Sequence, residues 1–154
     1  MIEHLKEHLK GKVILLGIGN TLRSDDGVGS ILAQRLNNKV KFKVFDAGPS
    51  PENYLEKIIK ENPGTVVIAD AVDFGAKPGE VSLLEGKDIT TVNFFSTHNS
   101  SISLVINYLQ SRLAADIIIL AIQPATLVFG DTLSPAIEKT LAQLEDWFLK
   151  GGIQ

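Results

Sequence analysis

The chain has no cysteine, and this excludes disulfides, thiolate metal sites and a cysteine nucleophile. Any metal held here must therefore use histidine and carboxylate. It has no basic excess either: fifteen Lys and Arg stand against eighteen Asp and Glu, a formal net charge of −3, so the electrostatic footprint for nucleic acid or an anionic membrane is missing. Long apolar runs are also absent. The longest stretch free of Asp, Glu, Lys, Arg and His, Ile117 to Gly130, is broken by Gln123, Pro124 and Thr126 and falls short of the roughly 20 apolar residues of a membrane span. Low complexity and internal repeats are missing too. Glu3 and Glu7 interrupt the basic start, and no small-residue cleavage site follows the apolar run Val13–Gly19, so a cytoplasmic location is expected.

What is present is the composition of a folded globule: 154 residues, 44% hydrophobic and 21% charged, with one domain as the expectation. Within it, residues 1–11 read as an N-terminal extension and 12–150 as the α/β domain. Val13–Ile18 is a continuous apolar run before a glycine turn, as in a strand buried on both faces. Val28, Ile31, Leu32 and Leu36 follow at helical spacing. Val40–Asp46 alternates as a half-buried strand, and Ser50-Pro51 reads as the N-cap and first turn of a helix carrying Tyr54, Leu55, Ile58 and Ile59, stopped at Asn62-Pro63-Gly64. Thr65–Asp70 is a third strand and Glu80–Leu84 a fourth. The loop between them is too short for a crossover helix, so the fourth strand is expected antiparallel near an edge. A helix over about Asn99–Leu113 leads to the fifth strand, Ile117–Ile122. A last helix opens at Ser134-Pro135 and ends at Gly151-Gly152. The sum predicts a three-layer α/β sandwich on a mostly parallel five-stranded sheet, order 2-1-3-5-4, with strand 4 antiparallel and helices on both faces.

In such sheets the working groups gather beyond the carboxyl ends of the strands. Asp25 and Asp26 follow strand one, Asp46 ends strand two and Asp70 ends strand three, so four carboxylates are expected on one rim. Singly, each reads as a helix cap or a loop acceptor. Together they repel unless a cation or a shared proton offsets them. His98, the only histidine outside the first eight residues, lies just before a helix. With Asp26 and Asp70 it would make a three-ligand site suited to nickel, zinc or cadmium.

Competing patterns are weaker. His4-Leu5-Lys6-Glu7-His8 spells the H-x-x-E-H zinc-peptidase motif, but at an expected unpacked, solvated terminus. Gly17-Ile18-Gly19 begins a dinucleotide fingerprint whose third glycine position is Leu22, with two acids where a pyrophosphate would lie. Gly48-Pro49-Ser50-Pro51-Glu52 fails the nucleophile-elbow pattern at its last position. A phospho-acceptor receiver domain would want Lys where Gln123 stands.

Gly17-x-Gly19-Asn20-x-Leu22-x-x-Asp25-Asp26-Gly27-x-Gly29, Ile68-Ala69-Asp70-Ala71, Thr97-His98-Asn99 and Ile122-Gln123-Pro124, in that order between about Val13 and Trp147, resemble the motif set of the nickel-iron hydrogenase maturation endopeptidases, closest to the hydrogenase 3 type. The resemblance implies a protease that clips the C-terminal extension from the hydrogenase large-subunit precursor after nickel insertion. It implies nickel supplied by the substrate and recognised by Asp26, Asp70 and His98, with zinc or cadmium able to occupy the same ligands in isolated protein. Asp46 is a candidate general base. The turn that reads Asp-Gly-Gly in the family is Asp46-Ala47-Gly48 here, and residues 1–11 have no counterpart in the motifs. The partner expected is the precursor, with no nucleic acid and no membrane, and the chain itself a monomer. A nucleotide-binding or receiver-like module and a nickel chaperone are the alternatives. Dinucleotide, or magnesium with a phosphoryl analogue, would test the first, and product formation the second.

Overall fold

The computed structural model describes residues 2–88, 95–96 and 99–152. Strands β1 (Val13–Ile18), β2 (Lys43–Gly48), β3 (Thr65–Asp73), β4 (Val81–Glu85), β5 (Phe95–Ser96) and β6 (Asp116–Ile122) alternate with helices α1 (Val28–Leu36), α2 (Leu55–Glu61), α3 (Asn99–Arg112) and α4 (Pro135–Trp147). The main sheet runs β2-β1-β3-β6-β4, and the two residues of β5 pair antiparallel with the end of β3. β1, β2, β3 and β6 are mutually parallel, while β4 lies antiparallel on β6, with Val81 opposite Ile122. This is the expected order, the fifth strand of the sequence reading being β6.

β1, Val66–Ala69 of β3 and Ile117–Ile122 of β6 are continuous apolar runs because helices cover both faces of the sheet there. Leu15, Val67 and Leu120 point to a core shared with Leu32 and Leu36 of α1 and with Ile137, Leu141 and Leu144 of α4. Ile14, Leu16, Ile68 and Ile119 point the opposite way, to Ile58 of α2 and to Ile102, Ile106 and Leu109 of α3. Among the described residues no helix is long and apolar enough to cross a membrane.

Three expectations need correction. Strand β2 begins at Lys43, opposite Ile14, and not at Val40. Val40 and Phe42 alternate because they pack against the α1/α4 core, ahead of any backbone pairing. Strand β3 continues three residues past Asp70, since Val72 and Asp73 find partners in Ser96 and Phe95. The N-terminal segment is packed: Ile2–His8 forms a 3-10 helix whose Leu5 is fully buried, with Ile2 and Leu9 against the same core. Its H-x-x-E-H residues stay on the outer side, where His4 lies 3.6 Å from Glu7 and His8 3.7 Å from Glu85 of β4. Lys10 is tied to β3 through Thr65, whose hydroxyl accepts the Lys10 N–H at 2.9 Å and donates to the Lys10 carbonyl at 2.8 Å.

Candidate active site

The order 2-1-3 makes the gap between β1 and β3 the point where successive crossovers diverge, and side chains beyond that gap face a natural crevice. Pairing of β1 with β3 ends at Gly17 opposite Ala69, one residue before Asp70. Beyond it, β1 runs into Gly19-Asn20 and then a one-turn 3-10 helix, Ser24–Gly27, which carries Asp26 into α1.

Glycine makes this junction possible. A Cβ on Gly29 would strike the carbonyl oxygens of Ala69 and Ile18, and one on Gly17 would strike the Gly29 carbonyl and sit 2.6 Å from the Ala33 methyl. The first turn of α1 therefore lies directly on β1 and β3 at the residue before Asp70. The glycines that open a dinucleotide fingerprint serve this close helix-to-sheet contact, and acids at the start of α1 stand where phosphates would need positive potential.

Asp26 is 1% and Asp70 0% exposed. The Asp26 carboxylate accepts the Asn20 N–H at 3.3 Å, closing the turn over itself, and the turn is held further by the Arg23 N–H to the Asn20 carbonyl and the Asp26 N–H to the Arg23 carbonyl, both 3.1 Å. Asp70 accepts the N–H of Ala71 at 2.9 Å. Alternation along β3 gives Asp70 the side of Ile68 and Val72, the face on which α3 packs. His98 lies outside the described residues. Among the described residues no cluster of three metal-ligating side chains forms, so these two carboxylates need a further ligand to hold a cation firmly.

The other two acids of the expected rim do different work. Asp46 is turned onto α1: it accepts the Ser30 hydroxyl, the Gln34 amide at 2.9 Å and the Gly48 N–H at 3.1 Å. Asp25, fully buried, points to the segment between β6 and α4, where it accepts the N–H groups of Ala125 (2.9 Å), Thr126 (3.1 Å) and Ser134 (2.8 Å) and the Ser134 hydroxyl (2.8 Å). It does not cap α1, whose N-terminus has no side-chain cap. Ser134 and Ser50 occupy N-cap positions, also without capping through their side chains.

Sequence reasoning passed over Gln123 as a working residue. Its carbonyl oxygen accepts the N–H groups of Phe74 (2.9 Å) and Ala76 (3.2 Å) and its amide donates to Asp73 (3.1 Å), so the end of β6 holds the chain that leaves β3 just beyond Asp70. The available signal was an amide at the end of a buried strand, where an unpaired polar group is unfavourable. A cavity of about 930 Å³ lies elsewhere, between Ile2, Val81, Leu144 and Trp147, and takes no lining residue from the Asp26 turn or from β3. Buried carboxylates on the elements that leave the β1/β3 switch point, not cavity size, mark the site.

Comparison with known proteins finds relatives along most of the chain. The family model described as hydrogenase maturation protease matches residues 27–150. Hydrogenase 3 maturation protease of Escherichia coli K12 is 32% identical over 145 residues, covering 90% of this chain and 92% of its own length. Among solved structures, the NiFe hydrogenase maturation protease HycI of Thermococcus kodakarensis superposes with a TM-score of 0.80 at 26% identity, over 95% of this chain and 98% of that one. A crystal structure of a hydrogenase 3 maturation protease gives a TM-score of 0.77 at 29% identity, over 90% of this chain and 89% of its own.

Proposed function

Because the chain belongs to the hydrogenase maturation protease family, we propose that it removes the C-terminal extension from the large-subunit precursor of a nickel-iron hydrogenase, recognising the nickel the precursor already carries. The observation that carries this reading is the carboxylate pair: Asp26 and Asp70, 1% and 0% exposed, where β1 and β3 part. Two buried carboxylates on one rim concentrate negative charge that a cation would offset. A cation that arrives only with the substrate makes the site both a reader and a gate.

His98 is assigned as the third ligand, on the sequence position ahead of α3 and the Thr97-His98-Asn99 motif. Two hard oxygens and one imidazole suit nickel, and zinc or cadmium would take the same ligands in the isolated protein. Docking fixes the precursor so that the scissile peptide is presented at high effective concentration. Attack falls to water, since there is no cysteine and the buried Ser24 and Ser30 donate their hydroxyls to Val128 and Asp46. The nickel supplies the Lewis acidity for that attack. Asp46 is assigned to holding α1 on β2 in preference to the general-base role, because its carboxylate is already engaged by Ser30 and Gln34 of α1 and by the Gly48 N–H. On this reading the chain acts in the cytoplasm, as a monomer, on one precursor at a time.

The test is the intact mass of a large-subunit precursor, with and without nickel, before and after incubation with the chain. Loss of a C-terminal peptide from the loaded form alone is expected, and His98→Ala is expected to abolish it. No loss from a verified loaded precursor would leave a metal-binding chaperone as the better reading.

A further inference from the structure

Leu22, Val128 and Phe129 are 58%, 64% and 85% exposed, half of the six large apolar side chains that stand in solvent among the described residues. They come from two segments about a hundred residues apart in sequence, and backbone bonds lock those segments together. The Gly130 N–H donates to the Leu22 carbonyl and the Ser24 N–H to the Gly130 carbonyl, both at 2.8 Å, forming a parallel bridge between Arg23 and Gly130. Leu22 and Phe129 are the residues just before that bridge in their two segments. The Ser24 hydroxyl donates to the Val128 carbonyl at 2.7 Å, and the Arg23 guanidinium to the Leu127 carbonyl at 3.3 Å. Asp25 holds the root of the same segment through Ala125, Thr126 and Ser134. Ser24 adopts φ +54°, a left-handed conformation that a non-glycine residue keeps only where its surroundings fix it.

Isolated apolar side chains on a surface need no explanation, but a cluster held out of the core by a rigid frame contributes little to folding. A preorganised apolar tip lowers the ordering entropy of whatever it binds, and exposed aromatics are the usual anchors of protein interfaces. The patch is also tied to the turn that carries Asp26. Leu22 and Asp26 belong to one hydrogen-bonded turn, and four residues of chain separate their Cα atoms by at most about 14 Å.

We infer that Leu22, Val128 and Phe129 form a docking surface for an apolar segment of the protein substrate, seated beside Asp26 and gripping the precursor independently of its nickel. The inference rests on the protease reading above for the identity of the occupant. A second copy of this chain is the competing occupant.

Affinity is measured by biolayer interferometry on nickel-free large-subunit precursor, and cleavage on the nickel-loaded precursor, for the wild-type chain, Phe129→Ser, Leu22→Ser and the control Leu149→Ser. The two patch variants are expected to weaken binding at least tenfold and to raise KM by a similar factor, with kcat within twofold, unchanged thermal unfolding and no effect in the control. Binding and KM within twofold of wild type in both patch variants, or no wild-type binding to the precursor, would overturn the proposal. So would a wild-type dimer by sedimentation that Phe129→Ser dissociates. Wild-type binding that Phe129→Ser weakens, without cleavage of the loaded precursor, would uphold the surface and reject the protease reading instead.

Discussion

The carboxylate of Asp25 takes both the backbone N–H and the hydroxyl of Ser134, each at 2.8 Å, across 109 positions of sequence. With the N–H groups of Ala125 and Thr126 on the same carboxylate, one buried charge fixes both ends of the segment joining β6 to α4. Asp25→Asn keeps the shape but must turn an NH2 group toward at least one of these donors. A loss of about 2–3 kcal/mol in urea unfolding is expected. Ser134→Ala, which removes only the hydroxyl bond, should combine with it short of additivity, because both changes act on that one bond.

Gly29 lies between the Ala69 and Ile18 carbonyls with no room for a methyl group. Gly29→Ala must push α1 off the sheet, and a loss of about 2 kcal/mol or more is expected in the same assay. A variant as stable as wild type would show that the helix can shift without strain.

The buried strands were legible because burial on both faces leaves an unbroken apolar run, as in Val66–Ala69; the strand order followed from the connection rules of α/β sheets and the antiparallel edge strand from a loop too short for a crossover helix. Val40 and Phe42 misled because packing and pairing leave the same alternation. The two adjacent aspartates could not be told apart by eye in the sequence: on a 3-10 turn successive side chains diverge by about 120°, so Asp25 reaches the β6–α4 segment while Asp26 stays over its own turn. Ser134 looked like a helix cap. A buried carboxylate is the stronger acceptor, and its long-range position leaves no local signal.

Leu5 is fully buried against the core although its neighbours Glu3, His4, Lys6 and Glu7 face outward. Leu5→Ala is expected to lose about 2–5 kcal/mol, read by chemical denaturation. An effect below 0.5 kcal/mol, roughly the surface-substitution range, would mean that the segment detaches easily.

Glu56 accepts the Tyr108 hydroxyl at 2.8 Å and an Arg112 guanidinium N–H at 3.1 Å, and these bonds, Tyr108 foremost, hold its carboxyl below the ordinary 4.5. A lowered folded value means that the contribution is fully present above the unfolded pKa and is lost as pH falls through the folded one. Tyr108→Phe should move the Glu56 titration, followed by carboxyl NMR shifts, up toward 4.5. An unmoved midpoint would assign the effect to Arg112.

Asp70 puts a carboxylate with no solvent exposure into a strand between Val67-Ile68-Ala69 and Ala71-Val72, where packing alone would favour an apolar residue. Asp70→Asn keeps an oxygen for the Ala71 N–H while removing the charge. If the charge serves the fold, stability and activity must fall together. If it serves the nickel of the substrate, the melting temperature should hold within about 2 °C or rise, as is common where function opposes stability. Processing should then fall more than about a hundredfold, since even partners one shell out from a metal cost 10–100-fold. The two outcomes separate in a single pair of measurements, a thermal melt and the intact mass of the nickel-loaded precursor after incubation.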